Sequence, residues 1–369
     1  MAKRKILFVG QFAPPVHGVS VMNEYVLHSK LLNQHFDFVK INLTTARSIE
    51  NIGQPGLGKY LKFTGILLNT LRQLVANKFY LAYLTLSPVG YAFVKDSIIV
   101  RLIRFFNVPL VLHLHGKGID RAITQGGAKT RKQYNKVFAG ATVITLSAGL
   151  EKDIAQITTY KKVFVVNNGI PANVVRAKAA GKKPMEILML SNLIKAKGAF
   201  DLLQATRMLS AKGLTGFKVV FAGAWGETGF AGEFLPYVAA NGLETVVELP
   251  GPVYGPEKEK ALAGAELFVL PTYYANECFP LTILEAMRQG LPVIATPEGA
   301  IAEMVVHEKT GLIIPARNPQ KLAAAIEKLM LDRELRLQMG RAAKARFSNH
   351  YTLDIFEKNM LTVFNKINR

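Results

Sequence analysis

Apolar residues along the chain fall into two alternating patterns. One is the short continuous run: KILFV at 5–9, YLAYLTL at 80–86, VPLVLHL at 108–114, VITL at 143–146 and VFVV at 163–166. The same signal returns as EILML at 186–190, KVVFA at 218–222, VVEL at 246–249, LFVL at 267–270 and VIA at 293–295. Runs of this length bounded by turn residues predict strands buried on both faces, as in parallel sheets covered by helices. The other pattern spaces apolar residues three and four apart and predicts single helices over 19–32, 59–80, 91–106 and 352–367, and more than one helix within 318–349. Strand and helix in regular alternation predict an α/β protein.

One stretch, ELFVLPTYYANECFPLTILEAMRQGLPVIAT at 266–296, concentrates the chemistry. It reads as strand, polar aromatic loop, helix and strand. Pro280 suits a first helical turn, where its missing N–H goes unused, and Gly290 suits the left-handed position after the last turn. The helix then aims its N-terminus at the end of a buried strand, where open α/β sheets bind ligands. Free backbone N–H groups around Phe279 to Thr282, with the positive end of the helix dipole, invite a phosphate. Glu277 and Glu285 frame that place.

Further candidates sit where other strands end. The loop GQFAPPVHGVS after the first strand holds His17 and Gly18, the glycine allowing close approach of backbone to ligand. Alternation puts His113 and His115 on one strand face, with Asp120 shortly after. In SNLIKAKGAF, Lys197 supplies charge and Gly198 approach at a helix start; KVVFAGAWG ends in a glycine turn at 223–226.

Composition narrows the class. A chain of 369 residues, half of them apolar, exceeds one core and predicts two domains, joined by the unpatterned RAKAAGKKP at 176–184. Its single cysteine, Cys278, excludes an internal disulfide and fits a reducing compartment. MAKRKILFVG does not read as a signal peptide, and apolar runs are interrupted by Lys or Arg too often to span a bilayer, so a cytoplasmic, soluble or peripheral protein is expected. Residues 1–184 carry 26 Lys and Arg against 7 Asp and Glu, and 185–369 carry 20 against 19, so nearly all of the net +20 lies in the first half. Such a half attracts polyanions: nucleic acid, anionic lipid or an acidic acceptor. Aromatics interleaved with cations are lacking, which argues against nucleic acid. No Asp-x-Asp pair, Gly-x-Gly-x-x-Gly after the first strand or Walker A motif occurs.

Glu277 and Glu285 with Phe279-Pro280-Leu281 between, followed by EAM and GLPVIAT, resemble the double-glutamate motif of retaining nucleotide-sugar glycosyltransferases of family 4, with the GT-B fold. The resemblance implies two Rossmann-like domains whose parallel sheets face a central cleft. They are a basic acceptor-binding domain at 1–175 and a donor-binding domain at 185–350, with residues 351–369 crossing back onto the first. It implies catalytic roles for Glu277, His115 and Lys197. It implies a donor site of Gly18, Asn192, Lys195, Lys197, Gly223, Cys278, Phe279, Pro280, Leu281, Thr282 and Glu285, with His17 and Asp120 toward the acceptor. Asn192 stands where the family has an arginine, with Lys195 as its substitute, and His17 where many members have glycine. The expected donor is a UDP- or GDP-sugar, used without metal or cofactor. The expected acceptor is an anionic or lipid-linked saccharide of bacterial cell-surface polysaccharide assembly, met at an anionic membrane surface. A nucleotide-sugar epimerase on the same fold and a non-enzymatic polyanion binder are the alternatives.

Overall fold

The computed structural model describes residues 3–44, 57–174 and 184–367. The chain divides into two compact units, residues 1–168 with 353–369, and residues 169–352. The stretch 176–184 read as a linker lies outside the described residues except for Pro184, and the loop expected around 42–58 lies mostly outside them.

The first unit runs β1 (Arg4–Gly10), α1 (Gly18–His28), α2 (Lys30–His35), β2 (Phe36–Asn42), α3 (Leu57–Ala76), β3 (Leu81–Leu86), α4 (Gly90–Phe105), β4 (Leu110–Leu114), α5 (Ile119–Phe138), β5 (Thr142–Thr145) and β6 (Lys162–Val165). Its six strands order as β2-β1-β3-β4-β5-β6, every pairing parallel. One local expectation is corrected. The helix expected over 19–32 is broken at Ser29, whose hydroxyl accepts the Leu32 amide at 3.1 Å and starts α2. β2 carries no continuous apolar run because it is an edge strand, with Asp37 and Lys40 exposed between the buried Phe36 and Ile41.

The second unit runs β7 (Met185–Leu190), α6 (Ala199–Ala211), β8 (Phe217–Ala222), α7 (Phe230–Ala240), β9 (Val247–Gly251), α8 (Gly255–Gly264), β10 (Leu267–Leu270), α9 (Leu281–Gln289), β11 (Val293–Ala295), α10 (Ile301–Met304), β12 (Gly311–Ile313), α11 (Pro319–Leu331) and α12 (Arg333–His350). The sheet order is β12-β11-β10-β7-β8-β9, again all parallel. Counted from its own first strand, that is the dinucleotide-fold order, which reverses between β7 and β10. Ligands of such sheets bind outside the carboxyl ends at the reversal, so the loops after β7 and β10 are placed by topology to form a site.

The last helix, α13 (Leu353–Lys366), belongs to the first unit. Phe364 is fully buried there, edge-on to Phe36 at 5.6 Å and Tyr83 at 5.3 Å, and Tyr80 donates its hydroxyl to the Phe364 carbonyl at 3.1 Å.

Candidate functional site

In the second unit the loops after β7 and β10 are laced together. Tyr273 donates its amide to the Ala196 carbonyl at 2.7 Å, and Thr272 adds its hydroxyl to the same oxygen at 3.3 Å. Gly198 makes the approach possible. Its φ is +82°, and a Cβ there would lie 2.2 Å from the Pro271 carbonyl oxygen. That closure brings Lys197 to Glu277, across 80 positions of sequence, with Nζ 2.6 Å from Oε2. Their side chains keep only 18% and 8% of their surface exposed, and the Lys197 ammonium also sits 4.9 Å from the Tyr274 ring centre. Either group left alone in so little water would be costly, so each needs the other, and the pair gives the loops a defined charge arrangement.

Pro280 occupies the N-cap of α9, one position before the first turn expected for it, and no side chain caps that helix end. Pro has no amide to offer, so the donors at this positive helix end are the first amides of Leu281 and Thr282. α5 differs. Asp153 accepts from the amides of Gly118, Ile119 and Asp120 at 2.9–3.2 Å, so a carboxylate of the protein already occupies that dipole end. Gly290 closes α9 at φ +82°, in the left-handed conformation expected of it.

Glu285, about one turn into α9, pairs with Lys258 of α8 at 2.5 Å. Burial pushes its carboxyl above the ordinary range, and Lys258, through charge and hydrogen bond, pulls it back. Nearby on the same two helices, Arg288 holds Glu259 with both carboxylate oxygens within 2.6 Å. Lys195 turns elsewhere. Its ammonium pairs with Glu233 at 2.6 Å, a bond that raises its pKa, and its amide donates to Glu227 at 3.0 Å. Asn192 is half-buried in the turn after β7, and Cys278, Phe279 and Pro280 are buried, Phe279 with its ring 5.9 Å from Tyr351. Gly223 has a structural reason for its identity, because a Cβ would lie 1.9 Å from the Ser191 carbonyl oxygen.

Three groups here carry no signal of their own in the sequence: Lys258, the Tyr273 ring, and Arg317, whose guanidinium lies 4.5 Å from that ring centre. Lys258 sits in the first turn of an otherwise ordinary helix, outside any motif, and Arg317 stands in a loop beyond β12. Neither is recognisable before the sheet order places it. Among the described residues no group of three His, Cys, Asp or Glu side chains could hold a metal ion.

The remaining candidates belong to the first unit. His17 caps α1, its Nδ1 accepting the Ser20 amide at 3.4 Å while the Ser20 hydroxyl accepts the His17 amide at 2.9 Å. Gly18 begins that helix with open space where a Cβ would project, nothing lying within 4 Å, so packing does not demand glycine there. His113 is fully buried, hydrogen-bonded through Nδ1 to the Tyr83 hydroxyl at 2.6 Å, and its ring lies 4.0 Å from that of His115. Burial holds both imidazoles neutral, His115 down to about 3 with a further push from His17. Neither Nε2 has a partner among the described residues. Asp120 does not stand free, since Gln156 donates to its Oδ1 at 2.8 Å.

With this geometry in view, residues 172–346 match the family described as Glycosyl transferases group 1, so the second unit carries that domain. AmsK of Erwinia amylovora, an amylovoran biosynthesis glycosyltransferase, is 26% identical over 247 residues, 64% of this chain and 59% of its own. WcaL of Salmonella typhimurium, named for colanic acid biosynthesis, is 29% identical over 156 residues, 41% of this chain and 37% of its own. These matches span less than two thirds of either relative. The crystal structure of Anabaena Alr3699/HepE in complex with UDP and glucose superposes at a TM-score of 0.74 with 20% identity, over 98% of this chain and all of the other. That likeness extends over both units and shows a GT-B fold.

Proposed function

We propose that this chain, whose second unit is a Glycosyl transferases group 1 domain, is a retaining glycosyltransferase of cell-surface polysaccharide assembly. It moves a sugar from a UDP- or GDP-sugar to a saccharide acceptor that is anionic or lipid-linked. The observation that carries the reading is the Lys197–Glu277 pair beside the uncapped N-terminus of α9, at the carboxyl ends of β7 and β10. When a nucleoside diphosphate departs, negative charge grows on its phosphate oxygens and positive charge at the anomeric carbon. A cation and helix amides aimed at the first, and a carboxylate beside the second, lower that barrier without a metal ion. Lys197 and the amides of Leu281 and Thr282 take the diphosphate, Glu277 the donor sugar, and Glu285, oriented by Lys258, the ribose hydroxyls. In the first unit, burial keeps the His115 ring neutral, so it can take part in a hydrogen bond without a competing positive charge. The leaving phosphate then helps remove the proton of the attacking hydroxyl, on the face the nucleotide leaves. Names of the relatives support the polysaccharide setting.

The test is to screen UDP-, GDP- and ADP-sugars for thermal stabilisation of the purified protein and to assay slow hydrolysis of any hit for the anomer released. Stabilisation by one nucleotide class and release of the retained anomer are expected, with Glu277→Ala abolishing turnover while keeping most nucleotide affinity. A protein that no nucleotide sugar stabilises, or a Glu277→Ala variant with unchanged turnover, overturns the reading.

A further inference from the structure

α3 and α4 each carry two apolar faces. On α3, Phe63, Thr70 and Leu74 are buried toward the sheet, while Leu61, Leu68 and Val75 stand in solvent with 73%, 63% and 70% of their surface open. On α4, Phe93, Ile99 and Ile103 point inward, while Tyr91, Val94, Ile98 and Phe105 are exposed, Phe105 to 80%. Positions 61, 68 and 75 repeat every seven residues, and 91, 94, 98 and 105 are spaced by three, four and seven, so each set is one stripe on its helix. The two helices pack on each other. Covering a sheet needs only the inner face, so the fold leaves the outer stripes unexplained.

Charge identifies what covers them. Lys62, Arg72 and Arg101 are exposed on these helices. The sequence of α3 holds no Asp or Glu, and the one acid of α4, Asp96, is buried and accepts the Ser87 amide at 2.8 Å. Past the last turn of α3 the sign continues. A cavity of about 490 Å³ there is lined by Lys3, Arg4, Lys5 and Lys78 and by no carboxylate. Pairing this face with a second copy would set cations against cations with no exposed acid on either helix to answer them. An anionic lipid surface answers both features, taking the apolar stripes into the boundary of headgroup and acyl chain and the cations among the phosphates.

We infer that the α3–α4 face is a docking surface for an anionic membrane. No helix among the described residues is long and apolar enough to cross one, so attachment is in the plane of the interface. The inference deepens the reading of a lipid-linked acceptor and rests on it for its purpose, though its physics stands apart.

The test is cosedimentation of the whole protein with vesicles of phosphatidylcholine alone or mixed equally with phosphatidylglycerol, at low and high salt. Binding to the mixed vesicles only, weakened by salt, is expected. Lys62→Glu with Arg101→Glu should weaken it by about tenfold or more, and Leu68→Glu with Phe105→Glu should do the same by removing the stripes. Unfolding curves and nucleotide-sugar stabilisation should match the parent protein in both. As a reporter that needs no disruptive change, Ile98→Trp should shift its emission to the blue on the mixed vesicles. Equal binding to both vesicle types, undiminished binding by the variants, or a dimer in light scattering that the variants split would each overturn the inference. Vesicle binding that survives in a protein no nucleotide sugar stabilises would sink the transferase reading and leave the docking surface standing.

Discussion

Replacing Lys197 by Met separates the pair's stability from its function. At 2.6 Å the two charges attract by about 6 kcal/mol at an effective dielectric constant of about 20. Desolvation of both groups offsets most of that gain in the intact protein. Once Lys197 is gone, however, the Glu277 carboxylate is left with 8% of its side chain exposed and no cation, which costs about 3–5 kcal/mol. The low end, about 3 kcal/mol, is expected because the Lys197 side chain retains 18% exposure and some water reaches the pair. Glu277→Gln in the same background removes the stranded charge and should restore most of the loss, giving a coupling of about 2 kcal/mol in the double-mutant cycle. Denaturant unfolding followed by the fluorescence of Trp225 is the assay. It is the single tryptophan of the chain and packs on Phe230 and Phe234 within the second unit, so it reports the unit that holds the pair. The parent protein should gain stability from UDP and the Lys197→Met variant should not. A loss below about 1 kcal/mol with zero coupling would show that the pair is not formed in solution and would refute the reasoning.

His115 should not titrate near neutrality. Its folded pKa of about 3 lies below the ordinary 6.5, so the stability its neutral ring contributes is complete above pH 6.5 and is lost as pH falls toward 3. Asp96, raised to about 6 by burial, acts with the opposite sign below that pH, so the clean readout is the His115 ring itself by NMR; a midpoint near 6.5 would contradict the buried environment. Gly223→Ala should cost more than about 3 kcal/mol or prevent folding of the second unit, because its Cβ would lie 1.9 Å from a backbone oxygen, whereas Gly18→Ala meets nothing within 4 Å and should stay within about 1 kcal/mol. Equal unfolding midpoints for the two would refute that distinction. Phe364→Ala should destabilise the first unit by about 3–5 kcal/mol, since the ring is fully buried against Phe36 and Tyr83; a change under about 1 kcal/mol by circular dichroism melts would mean α13 does not hold that core.

Local signals in the sequence determined much of this protein. Continuous apolar runs marked the buried strands because a strand covered on both faces needs no polar side. Pro280 and Gly290 delimited α9 to within a residue because helix ends depend on backbone conformation, which each residue carries with it. An edge strand such as β2, solvated on part of its surface, has no such run and stayed hidden. What only the tertiary structure decided depends on contacts between distant segments. The sheet order sets β7 beside β10 and thereby joins Lys197 to Glu277, directs Lys195 to Glu233 instead, and hands Glu285 to Lys258. The same holds for α3 and α4. Their periodicity announced apolar helices, but with apolar residues on opposite sides, only packing against the sheet could determine which stripe is core and which faces out.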